Sequence, residues 1–103
     1  MDIRRLLSKL TVEEKAALVS GTDFMYTNIV PRLGIPSLHM SDGPHGLRVQ
    51  TEGGDNGVTS SLPATAFPTA ATVASGWNPE NSYRIGRAIG KEAHKYGIHV
   101  VLG

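Results

Sequence analysis

The hydrophobic positions at the start of the chain repeat with the period of an α-helix. Four leucine or isoleucine residues share one face at the spacing i, i+3, i+4 and i+7: Ile3, Leu6, Leu7 and Leu10. Thr11 and Glu14 then form the pattern of a capping box, in which each side chain accepts a hydrogen bond from the backbone amide of the other residue. The pattern predicts two leading helices within residues 1–21, the second ending at Gly21.

After these helices the pattern changes to loop and then to strand. Residues 22–36 contain two prolines and mixed polar and aromatic side chains, and we expect them to form a loop. Residues 37–40 predict a short strand, which the Asp-Gly-Pro sequence at 42–44 ends with a turn. Residues 49–61 are rich in glycine and serine and predict a flexible polar loop.

The last third of the chain predicts two helices and a second strand. Pro68 suits the first turn of a helix over residues 69–75. Asn78 is a favourable N-cap and Pro79 a favourable first residue for a longer helix that a glycine ends. The predicted buried face of this helix comprises Ile85, Ala88, Ile89, Ala93 and Tyr96. Residues 98–102 are almost continuously apolar, which is typical of a strand buried on both faces.

Three residues near the longer helix suggest how it packs. Gly86 and Gly90 are four positions apart and would allow a neighbouring element to approach closely. Trp77 ends the preceding helix, and we expect it to pack against the protein rather than to stack on a ligand.

The order strand, helices, strand predicts a βαβ unit with parallel strands, so the expected fold class is α/β. We assign the first βαβ part to residues 37–103. A parallel strand that is buried on both faces needs further strands beside it, and this sequence offers none. We therefore interpret residues 1–103 as part of a longer protein.

Length and charge set broad limits on function. The chain has 103 residues, with 10 Lys or Arg, 9 Asp or Glu and a net charge of +1. This balance favours neither a nucleic-acid partner nor a membrane partner. Cysteine is absent, which excludes disulfides and thiolate metal sites. No apolar stretch has the length of a signal peptide core or a membrane span, so we expect a cytoplasmic protein.

The segment 41–48 is the candidate for chemistry, because it follows a predicted parallel strand. Asp42 offers two acceptor oxygens for hydroxyl groups, Gly43 lets a ligand approach the backbone, and Arg48 can donate hydrogen bonds. The alternative is a simple tight turn, since Asp-Gly-Pro is also a common turn sequence.

The other ionisable residues favour no catalytic or metal site. The carboxylates on predicted helices are expected to be solvated or to cap helix starts: Glu13, Glu14, Glu80 and Glu92. The four histidines lack the i, i+4 spacing of a zinc site, and we expect neither a metal nor a cofactor.

Several short segments occur in a characteristic order: residues 10–15, 20–24, 31–36, 41–48, 66–68 and 90–93. Together they resemble the start of glycoside hydrolase family three, which includes many β-glucosidases. The resemblance covers almost the whole chain from Leu10 onward. The order of several motifs is more specific than any single motif.

This resemblance implies the N-terminal part of a (β/α)₈-type barrel, incomplete in this chain, that is followed by a second α/β domain. It implies that Asp42 binds hydroxyls of the non-reducing sugar and that Arg48 lies close by. His45 is adjacent and is a weaker candidate for the same subsite. The family's nucleophile and acid/base match nothing in residues 1–103.

The expected activity of the parent protein is hydrolysis of terminal non-reducing β-D-glucosyl residues with retention, on a small-molecule or oligosaccharide β-glucoside. The alternative is a truncated, non-catalytic fragment with no activity of its own. A small unrelated α/β binding module is a third hypothesis. Under the first hypothesis the remainder of the barrel and the second domain are needed for folding, and the fragment alone is inactive.

Overall fold

The chain divides between His39 and Met40 into two units, which we describe separately. The computed structural model describes residues 2–50 and 61–103. The N-terminal unit is Met1–His39 and the C-terminal unit is Met40–Gly103. Most of the loop predicted over residues 49–61 lies outside the described residues. In the two described stretches, no helix has both the length and the apolar character needed to cross a membrane.

Two short helices begin the N-terminal unit: α1 (Ile3–Lys9) and α2 (Val12–Ser20). The predicted capping box at the start of α2 is present. The Glu14 amide donates to the Thr11 hydroxyl over 3.2 Å, and the Thr11 amide donates to Glu14 Oε2 over 2.9 Å. Gly21 ends α2 with a φ of 75°, a backbone conformation that favours glycine. Both leading helices are therefore confirmed.

The segment after α2 is more ordered than the predicted loop. It contains a 3₁₀ turn at Pro31–Leu33, and Val30 beside this turn is buried. The Asn28 side-chain amide donates to the Ala17 carbonyl over 2.9 Å and to the Gly21 carbonyl over 2.7 Å, which holds the segment against the end of α2. Loop composition alone gave no indication of these contacts, because they join residues that are distant in sequence.

Arg32 ties the 3₁₀ turn to the two helices. Its Nε donates to Glu14 Oε1 over 2.7 Å, its Nη2 donates to the Lys9 carbonyl over 2.8 Å, and Nη2 also forms an ion pair with Glu14 Oε2. One carboxylate thus caps α2 and binds the guanidinium. The hydrogen bond from Arg32, followed by that from the Thr11 amide, lowers the pKa of Glu14 below its ordinary value of 4.5.

The C-terminal unit contains β1 (Met40–Ser41), α3 (Ala70–Ser75), α4 (Pro79–Lys95) and β2 (Val100–Val101). The two strands pair in parallel, with Met40 opposite Val100 and Ser41 opposite Val101. The Leu102 amide extends the pairing by donating to the Ser41 carbonyl over 2.7 Å. The predicted order of strand, helices and parallel strand is confirmed, and the fold is a mixed α/β arrangement.

Both strands differ from their predicted extent. The first lies at Met40–Ser41 rather than at residues 37–40, and the second is limited to Val100–Val101. The prediction that residues 98–102 are buried on both faces is wrong for this chain, because Val100 and Val101 are 37% and 39% exposed. Within the described residues, each strand has one partner strand.

The two helices begin at side-chain caps. Thr69 caps α3 by accepting from the Thr72 amide over 3.4 Å, so Pro68 precedes the cap instead of occupying the first turn as predicted. Asn78 caps α4 by accepting from the Glu80 amide over 3.1 Å, and Pro79 follows as expected.

The hydrophobic core of the C-terminal unit lies against one face of α4. Its buried members are Leu47, Val49, Ile89, Ala93 and Ile98, with Leu62, Phe67, Ile85 and Tyr96 partly buried around them. The predicted buried face of α4 is therefore confirmed, with Ala88 also half-buried.

Two packing predictions near α4 do not hold within the described residues. A Cβ at Gly86 or Gly90 would have no neighbour within 4 Å, so these glycines accommodate no close contact here. Trp77 is 93% exposed and has a φ of 48°, so it does not pack as expected. The reason is that no part of the described C-terminal unit covers these positions.

We expect the pKa of the Glu14 carboxyl to lie below its ordinary value in the full-length protein that contains this chain, and Arg32→Gln to raise that pKa. Because the folded pKa is lowered, this contribution to stability is present above the unfolded pKa and is lost as pH falls through the folded one. Side-chain NMR titration measures the shift directly. Arg4→Gln, at an exposed position of α1, is the control. An unchanged Glu14 pKa in Arg32→Gln would contradict the ion pair.

Candidate functional site

Asp42 occupies the first position after β1, at the carboxyl end of a parallel strand. Ser41 before it is 1% exposed, and its hydroxyl donates to the Asp42 carbonyl over 3.1 Å. The strand pairing and this buried serine fix the backbone from which the Asp42 side chain extends. The carboxyl ends of parallel strands are the face where α/β barrels place their active sites.

Residues 42–48 fold into a compact turn that we call the 42–48 loop. The Arg48 amide donates to the Asp42 carbonyl over 3.1 Å, which closes the loop. Inside it, the Gly46 amide donates to the Gly43 carbonyl over 3.2 Å. Both glycines have positive φ, 121° for Gly43 and 143° for Gly46, where other residues are strained.

Steric crowding also requires glycine at both positions, because neighbouring backbone atoms leave no room for a Cβ. A Cβ on Gly43 would lie 1.8 Å from the Gly46 carbonyl oxygen, and a Cβ on Gly46 would lie 2.3 Å from the Thr65 carbonyl oxygen. Neither position can accept a side chain without moving backbone atoms. Gly43, which is predicted to let a ligand approach the backbone, first allows the loop to close on itself.

Residues 61–67 run alongside the loop, and we call them the 61–67 segment. The Phe67 amide donates to the His45 carbonyl over 2.7 Å, and the Leu62 amide donates to the Val49 carbonyl over 2.8 Å. These bonds place the segment along one side of the loop. This contact could not be predicted from the sequence, because no local pattern links the two stretches.

The three predicted site residues come together in this loop. Asp42 is half-buried, whereas His45 and Arg48 are exposed. Leu47 and Val49 point into the core on either side of Arg48, and this alternation directs Arg48 outward. Residues 42–48 surround an open depression of about 380 Å³.

Asp42 Oδ1 is shielded from solvent and has no hydrogen-bond partner within the described residues. A shielded acceptor without a donor carries a desolvation cost that a suitable ligand could remove. Because Oδ1 is shielded from solvent, a ligand that binds both oxygens requires the carboxylate or the atoms around it to move.

The other carboxylates in the described part of the C-terminal unit are engaged elsewhere. Glu80 pairs with Arg84 over 3.1 Å on the exposed face of α4. Glu92 accepts from the Thr65 amide over 3.3 Å and from the Thr65 hydroxyl. The expectation that Glu92 is merely solvated is therefore wrong. Among residues 2–50 and 61–103, no cluster of three His, Cys, Asp or Glu side chains could hold a metal ion.

Sequence comparison relates the chain to characterised glycosidases. It is 46% identical to thermostable beta-glucosidase B of Acetivibrio thermocellus over the whole chain, which corresponds to 14% of that protein. It is 44% identical over 91% of its length to an exo-alpha-(1->6)-L-arabinopyranosidase of Bifidobacterium longum, of which it covers 13%. No family model matches the chain.

Solved structures give the same relationship. The beta-glucosidase of Kluyveromyces marxianus, solved in complex with glucose, superposes on the whole chain with a TM-score of 0.86 at 35% identity. The GH3 beta-glucosidase of Bifidobacterium adolescentis superposes on 94% of it with a TM-score of 0.78 at 42% identity. The chain spans 12% and 13% of these two proteins.

Three of these four relatives are β-glucosidases and the fourth is an arabinopyranosidase, so all four are glycoside hydrolases. The chain belongs to glycoside hydrolase family three and corresponds to an N-terminal piece of its much longer members. The resemblance found in the ordered motifs is thereby confirmed.

We expect Gly46→Ala to destabilise the C-terminal unit by about 3 kcal/mol, because a methyl group meets the Thr65 carbonyl at a strained φ. Gly90→Ala, in the open on α4, is the matched control and should stabilise the helix by about 0.5–1 kcal/mol. Hydrogen exchange of peptides from α4, measured in the full-length protein that contains this chain, reports both effects. Equal protection in the two variants would contradict the close backbone contact.

Proposed function

We propose that this chain supplies part of the sugar-binding subsite of a retaining β-glucosidase, which removes terminal non-reducing β-D-glucosyl residues. The observation that carries the proposal is the position of Asp42, an unpaired carboxylate oxygen at the carboxyl end of a parallel strand. Relatives that were solved with glucose support a sugar as the ligand.

The proposal places the chain in the first part of a (β/α)₈-type barrel. Parallel pairing of β1 and β2 across two helices supports this arrangement. So does the exposure of Val100, Val101 and Leu102, which further strands of a longer protein would cover. In such a barrel Asp42 lies on the face that carries the active site.

Each residue of the 42–48 loop would then have a distinct role. An ionised Asp42 accepts hydrogen bonds from two adjacent sugar hydroxyls, and these bonds are stronger than neutral ones. Arg48 donates to a hydroxyl or orients a carboxylate through its planar guanidinium. His45 lies on the rim of the depression and contributes less.

The bond-breaking groups come from elsewhere in the parent enzyme. Retaining hydrolysis needs a nucleophilic carboxylate and a carboxylic acid about 5 Å apart across the scissile bond. Glu80 and Glu92 are engaged in other contacts, so the described part of the C-terminal unit offers Asp42 alone at the loop. The chain by itself would therefore be inactive, which is also the outcome expected for a truncated fragment.

We expect Asp42→Ala in the full-length enzyme to lower kcat/KM for an aryl β-D-glucoside by at least about 100-fold, because two charge-assisted hydrogen bonds are lost. Asp42→Asn keeps the shape and should retain a small part of the activity. Glu80→Gln, on the exposed face of α4, is the control and should behave as wild type. Near wild-type turnover and glucose affinity in Asp42→Ala would refute the assignment.

The arabinopyranosidase relative supplies the competing substrate, because it is nearly as similar to the chain as the β-glucosidases are. We expect the full-length enzyme to hydrolyse an aryl β-D-glucoside with a higher kcat/KM than an aryl α-L-arabinopyranoside. A glucose unit carries a hydroxymethyl group that the pentose lacks, and binding of that group can contribute roughly tenfold or more. The opposite order would replace glucose with the pentose in the proposal.

A further inference from the structure

We propose that Glu92 and Thr65 are positioning residues for the sugar-binding loop. In this arrangement α4 holds the 61–67 segment, and the segment in turn fixes the 42–48 loop that presents Asp42. The proposal rests on the proposed function, since the loop it concerns is the proposed sugar subsite. Neither residue is placed in direct contact with the sugar.

The first link joins α4 to the segment. The Glu92 carboxylate accepts two hydrogen bonds from Thr65, one from the amide to Oε2 over 3.3 Å and one from the hydroxyl to Oε1. A single side chain thus fixes both the backbone and the side chain of a residue that is 27 positions away. Bonds to an ionised acceptor are stronger than neutral ones.

A second contact, from the end of the same helix, supports the first. Tyr96 is the C-cap residue of α4, four residues after Glu92, and its hydroxyl donates to the Pro63 carbonyl over 3.0 Å. The helix α4 is itself fixed in place, because Ile89 and Ala93 are buried in the core. Residues 63 and 65 are therefore held at two points by a packed helix.

The second link joins the segment to the loop. The Thr65 carbonyl oxygen lies so close to Gly46 that a Cβ there would approach it to 2.3 Å. Two residues further on, the Phe67 amide donates to the His45 carbonyl over 2.7 Å. The part of the segment that Glu92 holds is thus the part in contact with the middle of the loop.

Thr65 is exposed, so its hydroxyl contributes little to packing. Removal of that hydroxyl should leave the fold intact while releasing one of the two bonds from Glu92. The 61–67 segment can then move away from Gly46, and the 42–48 loop loses the contact with the Thr65 carbonyl that limits its position. Sugar binding should respond more strongly than stability does.

The experiment compares Thr65→Val, which removes the hydroxyl at nearly the same shape, with Thr65→Ser, which keeps it. Kinetics with an aryl β-D-glucoside, inhibition by glucose and thermal unfolding are measured on the full-length enzyme. We expect Thr65→Val to raise KM and the glucose inhibition constant together by about tenfold, the effect of losing roughly one hydrogen bond. The kcat should change less than about threefold, because the loop binds ground state and transition state alike. Thr65→Ser should behave as wild type.

Glu92→Ala removes both hydrogen bonds to Thr65 and should raise KM and the glucose inhibition constant at least as much as Thr65→Val does. Glu80→Gln on the same helix is its control. Unchanged KM and glucose inhibition in Thr65→Val would overturn the proposal. It would also be overturned if Thr65→Val and Thr65→Ser weakened glucose binding equally and both lowered the Tm. If Glu92→Ala does not fold, the two Thr65 variants alone test the proposal.

Asp42→Ala distinguishes a failure of the positioning role from a failure of the proposed function. Weakened glucose binding there, with no effect at Thr65, leaves the proposed function standing and removes the positioning role. Unaltered glucose binding in Asp42→Ala removes both.

Discussion

The 42–48 loop can close on itself only because two of its positions carry no side chain. Gly43 and Gly46 both have positive φ, and a Cβ on either would overlap a carbonyl oxygen. The hydrogen bond from the Arg48 amide to the Asp42 carbonyl depends on this close approach. The position of the Asp42 carboxylate therefore depends on a purely steric condition of the backbone beside it.

This constraint fixes the backbone that carries the acceptor. The buried Ser41 and the strand pairing fix one end of the loop, and the contact between Gly46 and Thr65 limits its middle. Asp42 is left half-buried with one unpartnered oxygen, a state whose cost a bound hydroxyl can offset. In the proposed function, this acceptor binds the sugar, and carboxylates outside the described residues break the glycosidic bond.

The helices could be predicted from the sequence because their signals are local, as in the capping box at Thr11. The strands could be placed only roughly, because the burial of residues 98–102 depends on neighbours that the described residues do not include. The contact between Glu92 and Thr65 spans 27 positions and has no local signature. The candidate site could be predicted from the sequence, since its residues lie together in the 42–48 loop. The 61–67 segment beside it could not, because its contacts join residues that are distant in sequence.

The most direct test of this account is a crystal structure of the full-length enzyme with glucose bound. We predict that both oxygens of Asp42 accept hydrogen bonds from adjacent sugar hydroxyls at about 2.5–3.0 Å, with the Gly43 and Gly46 backbone unchanged. A sugar bound in the active site with the Asp42 carboxylate turned away from it, beyond hydrogen-bonding distance, would contradict the central claim.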